Sequence, residues 1–151
     1  MTTSSPTIPS LPEYQAPANV YASVVRHGST AYISGHIAKT PSEVLFTGKV
    51  GADVSVEDAR RSAELATLNA LASLKHALGG LQHLDRVVKL TVFVASAPGF
   101  NGQPQVADAA STLLQTMFGE KGTAARSAIG VAELPRNASV EVEMIVALPE
   151  V

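Results

Sequence analysis

The chain has no cysteine among its 151 residues. That absence removes disulfide frameworks, thiolate zinc sites and a cysteine nucleophile together, and leaves the redox compartment unspecified. Charge is scarce as well. Lys, Arg, Asp and Glu make up 16% of the chain against 46% hydrophobic residues, so the surface is thinly charged for a soluble monomer and self-association is expected to hide part of it. The formal net charge is -2 and no basic stripe is present, which counts against nucleic acid as a partner. No apolar run approaches the ~18 residues of a membrane span. The opening "MTTSSPTIPSLPEYQAP" has neither the basic start nor the apolar stretch of a secretory signal. A cytoplasmic protein without a membrane partner is the expectation, and the sequon Asn137-Ala138-Ser139 is then expected to carry no glycan.

What is present has the length of one domain with a sizeable core. Pro6, Pro9, Pro12 and Pro17 lie among Ser and Thr and cannot form a helix, so residues 1–17 read as a flexible Pro-rich tail or surface wrap. Residues 18–151 read as a single domain. Val20 to Arg26 and Ala31 to Ser34 read as a hairpin turning at Gly28. The stretch from His36 to Asp53 reads as a loop with a short strand turn. Ser55 then caps a helix that runs to Leu78 and stops at Gly79-Gly80, with Ala59, Ala63, Ala66, Ala70, Leu74 and Ala77 as a small-residue stripe. In "RVVKLTVFVAS", Val88, Leu90, Val92 and Val94 are expected to face one way and Lys89, Thr91 and Phe93 the other. A second amphipathic helix, "VADAASTLLQTMFGEKG", and strands over Arg126–Val131 and Val140–Ala147 complete a β-β-α-β-α-β-β order. This is an α+β mixed sheet with both helices on one face.

Candidate chemistry starts at the last strand. Val140, Val142, Met144 and Val146 share the core face; Glu141 and Glu143 share the other with Ile145 and Ala147. Glutamate is a poor strand former. Two readings stand: both glutamates are simply solvated, or their face lines a cleft between subunits. Arg126, among small apolar residues, is either an ordinary ion-pair residue or a planar fork gripping a substrate carboxylate, which lysine could not imitate. His27, His36, His76 and His83 lack metal-ligand spacing, so no metal site is expected. His36, at the end of a strand after Ser34-Gly35, is the histidine best placed for function. No phosphate loop, nucleophile elbow or serine triad is present.

The segments "AYISGHI", "LNALASLKHALGGLQHLDRVVKLTVFV" and above all "ARSAIGVAELPRNASVEVEMIVAL" resemble the reactive intermediate deaminase A (RidA) family, also called the YjgF or L-PSP endoribonuclease family. The resemblance covers about residues 18 to 148. It implies a chorismate-mutase-like α+β fold assembled as a homotrimer with clefts between neighbouring subunits. It further implies a hydrolase: a deaminase that converts carboxylate-bearing enamines and imines, such as 2-aminoacrylate, to 2-keto acids and ammonia without metal or cofactor. On that resemblance Arg126 binds the substrate carboxylate and Glu141 positions the hydrolytic water. Ser34, Gly35 and Tyr21 then belong to the cleft. The sequence departs from the family pattern at His36, where Gln is common, at Ala128, where many deaminases have Cys, and at Asp108, where Asn is frequent. These three are substrate-contact positions on the same resemblance, and their identity leaves larger imines open. Two other readings remain: a non-catalytic trimer binding small metabolites or protein partners, and a ribonuclease or translation inhibitor, which fits poorly with a mildly acidic chain.

Overall fold

The computed structural model describes residues 8–150. Five strands and two helices follow in the order expected from the sequence: β1 (Val24–His27), β2 (Thr30–Ile37), α1 (Val56–Leu78), β3 (Arg86–Ala95), α2 (Gln103–Phe118), β4 (Ala125–Val131) and β5 (Val140–Ala147). A short 3-10 turn over Gly119–Gly122 follows α2, and another, Pro135–Asn137, precedes β5.

Local chemistry accounts for the element ends. Ser55 accepts the backbone N–H of Asp58 at 3.1 Å, and Glu57 and Asp58 set negative charge at the positive end of α1. Gly79 closes the helix in the left-handed conformation (φ 76°), its N–H donating to the Lys75 carbonyl. Ala59, Ala63, Ala66, Ala70, Leu71 and Leu74 are buried. These small side chains let α1 lie close on the sheet, whereas Ala77, next on the same stripe, is exposed.

The sheet runs β1-β2-β5-β3-β4, antiparallel throughout except for the parallel β3–β4 pair joined by α2. It is therefore mixed, and both helices cover one face. Leu90, Val92, Val94, Val140, Val142, Met144 and Val146 form the floor of the core beneath them. The opposite face is uncovered in the single chain and exposes Val25, Tyr32 and Ile129.

Two local expectations need correction. The first strand begins at Val24 instead of Val20, because residues 19–21 bend, with Tyr21 N–H donating to the Asn19 carbonyl at 3.0 Å. Val20 is fully exposed as a result. In β3, a register shift between Val87 and Lys89 puts Val87 in the core and Val88 outside. A bulge adds one residue to the two-residue repeat, so the alternation read from Val88 onward starts one position late.

The first seven residues of the Pro-rich segment lie outside the described residues. Residues 8–17 lie over α1. Leu11 packs against the core and the Tyr14 ring stacks on His76 at 3.9 Å with an interplanar angle of 10°.

Candidate functional site

The site is built on an irregularity in β2. Ile33 pairs with Met144 and His36 with Val142, so three steps along β2 match two along β5. The extra residue falls at Ser34–Gly35. Without it Ile33 and His36 would face opposite sides; with it both turn toward the helices. His36 thereby reaches Ser73 on α1, Nε2 to Oγ at 2.8 Å, while its Nδ1 lies 2.6 Å from the Ser34 carbonyl.

A carbonyl only accepts, so Nδ1 carries a proton; in the neutral ring, which burial favours, Nε2 then accepts from the Ser73 hydroxyl. The ring is neutral in this arrangement. Burial pushes its pKa down, outweighing the Ser34 carbonyl that raises it, and the Lys39 charge lowers it further.

The same bulge brings Gly35 under Glu141. A Cβ on Gly35 would lie 2.9 Å from Glu141 Cδ and 3.1 Å from Cγ, and closer still to Oε1. Only glycine leaves room for that carboxylate to lie against the strand. Glu141 is half-buried there, and burial raises its pKa, with like-charge repulsion from Glu143 adding to the shift. Ser34 ties the segment before β1 to β2. Its hydroxyl donates to the Ala22 carbonyl at 2.7 Å and its backbone N–H to the Ser23 carbonyl at 2.9 Å.

Tyr21, Ser34, Gly35, His36 and Glu141 line one cleft of about 340 Å³, together with Gln15, Pro17, Ala18 and Asn19. Five of the positions singled out from the sequence thus converge. Two cleft residues, Lys39 and Arg136, were not singled out. The available signal for Arg136 was a charged residue in the turn "LPRN"; nothing in "HIAKT" marked Lys39.

Arg126, Asp108 and Ala128 lie elsewhere in the chain. Arg126 pairs with Leu90 on β3, hence shares its helix-facing side, whereas Glu141 pairs with Phe93 and takes the opposite side. The guanidinium Nη1 donates to Asp108 Oδ1 at 2.7 Å and to Ser111 Oγ at 3.2 Å, both on α2. Ala128 packs against the core beside Val92. Within one chain, then, Arg126 does not line the cleft that holds Glu141. Among the described residues no three His, Asp or Glu side chains come together as a metal-binding cluster, and no helix is long and apolar enough to cross a membrane.

Comparison with known proteins gives four further observations. The sequence profile of the family described as "Endoribonuclease L-PSP" matches residues 13–148. Protein TCP17 of Trypanosoma cruzi is 42% identical over 139 residues, 91% of this chain and 87% of that protein. A 2-iminobutanoate/2-iminopropanoate deaminase of Dermatophagoides farinae is 33% identical over 140 residues, 92% of this chain and 94% of that one. Among solved structures, the Agrobacterium tumefaciens protein Atu1372, of unknown function, superposes with a TM-score of 0.84 at 43% identity, covering 90% of this chain and 87% of that chain.

Proposed function

The chain belongs to the endoribonuclease L-PSP family, and we propose that within it this protein hydrolyses small carboxylate-bearing enamines and imines, of the 2-aminoacrylate type, to 2-keto acids and ammonia. The observation that carries this reading is the Glu141 carboxylate, half-buried against Gly35 in the wall of a cleft, with its pKa raised. A carboxylate so placed is suited to take a proton from water and return it.

The second half of the site comes from a neighbouring copy. Arg126 lies on the helix-facing side of the edge strand and Glu141 on the other side of the sheet, so one chain offers each cleft only one of them. The uncovered sheet face, with Val25, Tyr32 and Ile129 exposed, supports such an association, and a homotrimer is the assembly we propose.

Asp108 holds Arg126 through Nη1, which leaves the Nε and Nη2 edge to receive the α-carboxylate bidentately. The protonated imine carbon is electrophilic already. Water adds to it as Glu141 takes the water proton; that proton passes to nitrogen, the carbinolamine hydroxyl gives its own proton to Glu141 as the C–N bond breaks, and ammonia leaves as the carbonyl forms. The protein supplies orientation and proton transfer and needs no strong nucleophile.

A second reading, binding of small metabolites without turnover, draws on one observation: Asp108 already satisfies part of Arg126. The test is keto-acid formation from 2-aminoacrylate or 2-aminocrotonate, generated in place by a pyridoxal-phosphate dehydratase, with semicarbazide as competing trap. The wild type outruns the trap and Arg126→Ala does not, while both keep the same assembly state by sedimentation. Ligand-dependent thermal shifts without product would instead support the binding reading.

A further inference from the structure

Lys39 and Arg136 line the same cleft as Glu141, and their backbones are fixed independently. Asn69, buried in α1, donates through Nδ2 to the Lys39 carbonyl at 3.0 Å and to the Ile37 carbonyl at 2.9 Å. This pins the end of β2 from which the lysine projects. Arg136 lies in a turn with two consecutive left-handed residues, φ 57° at Arg136 and 58° at Asn137. That conformation is uncommon for residues with a Cβ. The turn is held by Gly48 N–H donating to the Asn137 carbonyl at 2.9 Å and by Asn137 N–H donating to the Leu134 carbonyl at 3.2 Å. An arginine at a strained position beside a cleft is a candidate for a ligand contact.

Neither cation has an ion-pair partner among the described residues. The ion pairs among the described residues are Arg61 with Glu57 and Asp58, and Arg126 with Asp108. The one acid lining the cleft, Glu141, pairs with neither cation. Its raised pKa follows from burial and Glu143, with no cation offsetting them. Lys39 also acts electrostatically on His36, so its charge is felt inside the cleft. The ring of His36 is held by Ser34 and Ser73, and burial disfavours its charged form.

We propose that Lys39 and Arg136 form a second anion-recognising end of the cleft, so that the preferred substrate is the imine of a dicarboxylic amino acid. The inference rests on the proposed function, which places the α-carboxylate at Arg126 of a neighbouring copy and the reacting carbon near Glu141. With one carboxylate spoken for, two further cations select for a second on the side chain. Arginine offers a planar fork to it and lysine a mobile point charge. A short neutral imine leaves both solvated and gains nothing from them.

The keto-acid products separate the two claims, because they bind without reacting. Isothermal calorimetry on the full-length protein at matched ionic strength compares 2-oxoglutarate with 2-oxobutanoate. The wild type favours 2-oxoglutarate by roughly tenfold or more, the sum of two partly exposed charge contacts. Lys39→Met and Arg136→Met each cut the preference, the double variant brings it near one, and Arg136→Lys keeps part of it. Melting temperatures close to wild type exclude unfolding as the cause. Equal affinities in the wild type, a preference untouched in the double variant, or no binding of either acid each overturn the inference. Absence of imine turnover with the preference intact sinks the deaminase reading and leaves the anion-recognising end of the cleft standing, its dicarboxylate then bound and not converted; turnover without preference does the reverse.

Discussion

Replacing Gly35 with alanine isolates what the bulge in β2 contributes. The three atoms nearest the new Cβ all belong to Glu141, with Cδ at 2.9 Å, Cγ at 3.1 Å and Oε1 closer, so the flexible end of that side chain has to give way. Displacement of the carboxylate by about 1 Å is enough to relieve the contact, and a misplacement of that size in a catalytic group costs about 100-fold. Gly35 is not among the residues in the left-handed region, so alanine fits its backbone and restricts the unfolded chain, a gain of about 0.4–1 kcal/mol that offsets part of the local crowding. Gly35→Ala is therefore expected to fold and melt near the wild type while kcat/KM for imine hydrolysis falls about 100-fold. Paired thermal melts and keto-acid assays decide it. Wild-type turnover in the variant, or loss of activity only in step with unfolding, would refute the reasoning that Gly35 exists to seat Glu141.

Burial and then repulsion from Glu143 raise the pKa of Glu141; as the proposed general base it fails once protonated, so activity is expected to be lost as pH falls through that raised value. Glu143→Gln should move the acid limb of the pH–kcat/KM profile toward lower pH; a limb that stays or moves upward would contradict the assignment. His36 has its pKa lowered by burial, so the unfolded chain binds the proton first. Its contribution to stability is complete above about pH 6.5 and declines as pH falls from there toward the folded value. Denaturant titrations between pH 7.5 and 5 should show this decline in the wild type and less of it in His36→Gln. On the proposed role of Arg126, Asp108 competes with the ligand carboxylate for it, so Asp108→Asn should tighten 2-oxobutanoate binding by roughly two- to fivefold. Weaker binding in that variant by calorimetry would show instead that Asp108 is needed to orient the guanidinium.

Much of the fold is legible in the sequence because period and caps agree. Ser55, Glu57, Asp58 and Gly79 bracket α1, and the alternation Val140, Val142, Met144, Val146 fixes which side of β5 is core. The two register shifts are not legible. A bulge leaves residue types unchanged and alters only which partner each faces, so Val88 appears interchangeable with Val87 until the strands are paired. The bulge at Ser34–Gly35 has the same character, and it is what turns His36 toward Ser73. Within the candidate site, Tyr21, Ser34, Gly35, His36 and Glu141 were identified and do converge. Lys39 and Arg136 were missed because each is a common surface residue in a loop, and what distinguishes them, a place in the cleft wall and for Arg136 a left-handed backbone, exists only in three dimensions.

The placement of Arg126 and Glu141 on opposite sides of one sheet has a genetic corollary. On the proposed assembly each cleft draws one of them from each of two polypeptides, so a lesion in either disables every cleft of a pure population. Co-expressed Arg126→Ala and Glu141→Gln chains would still form some junctions in which both contributing surfaces are intact. Two inactive alleles should then complement each other, with recovered activity following the mixing ratio and vanishing when the chains are kept apart.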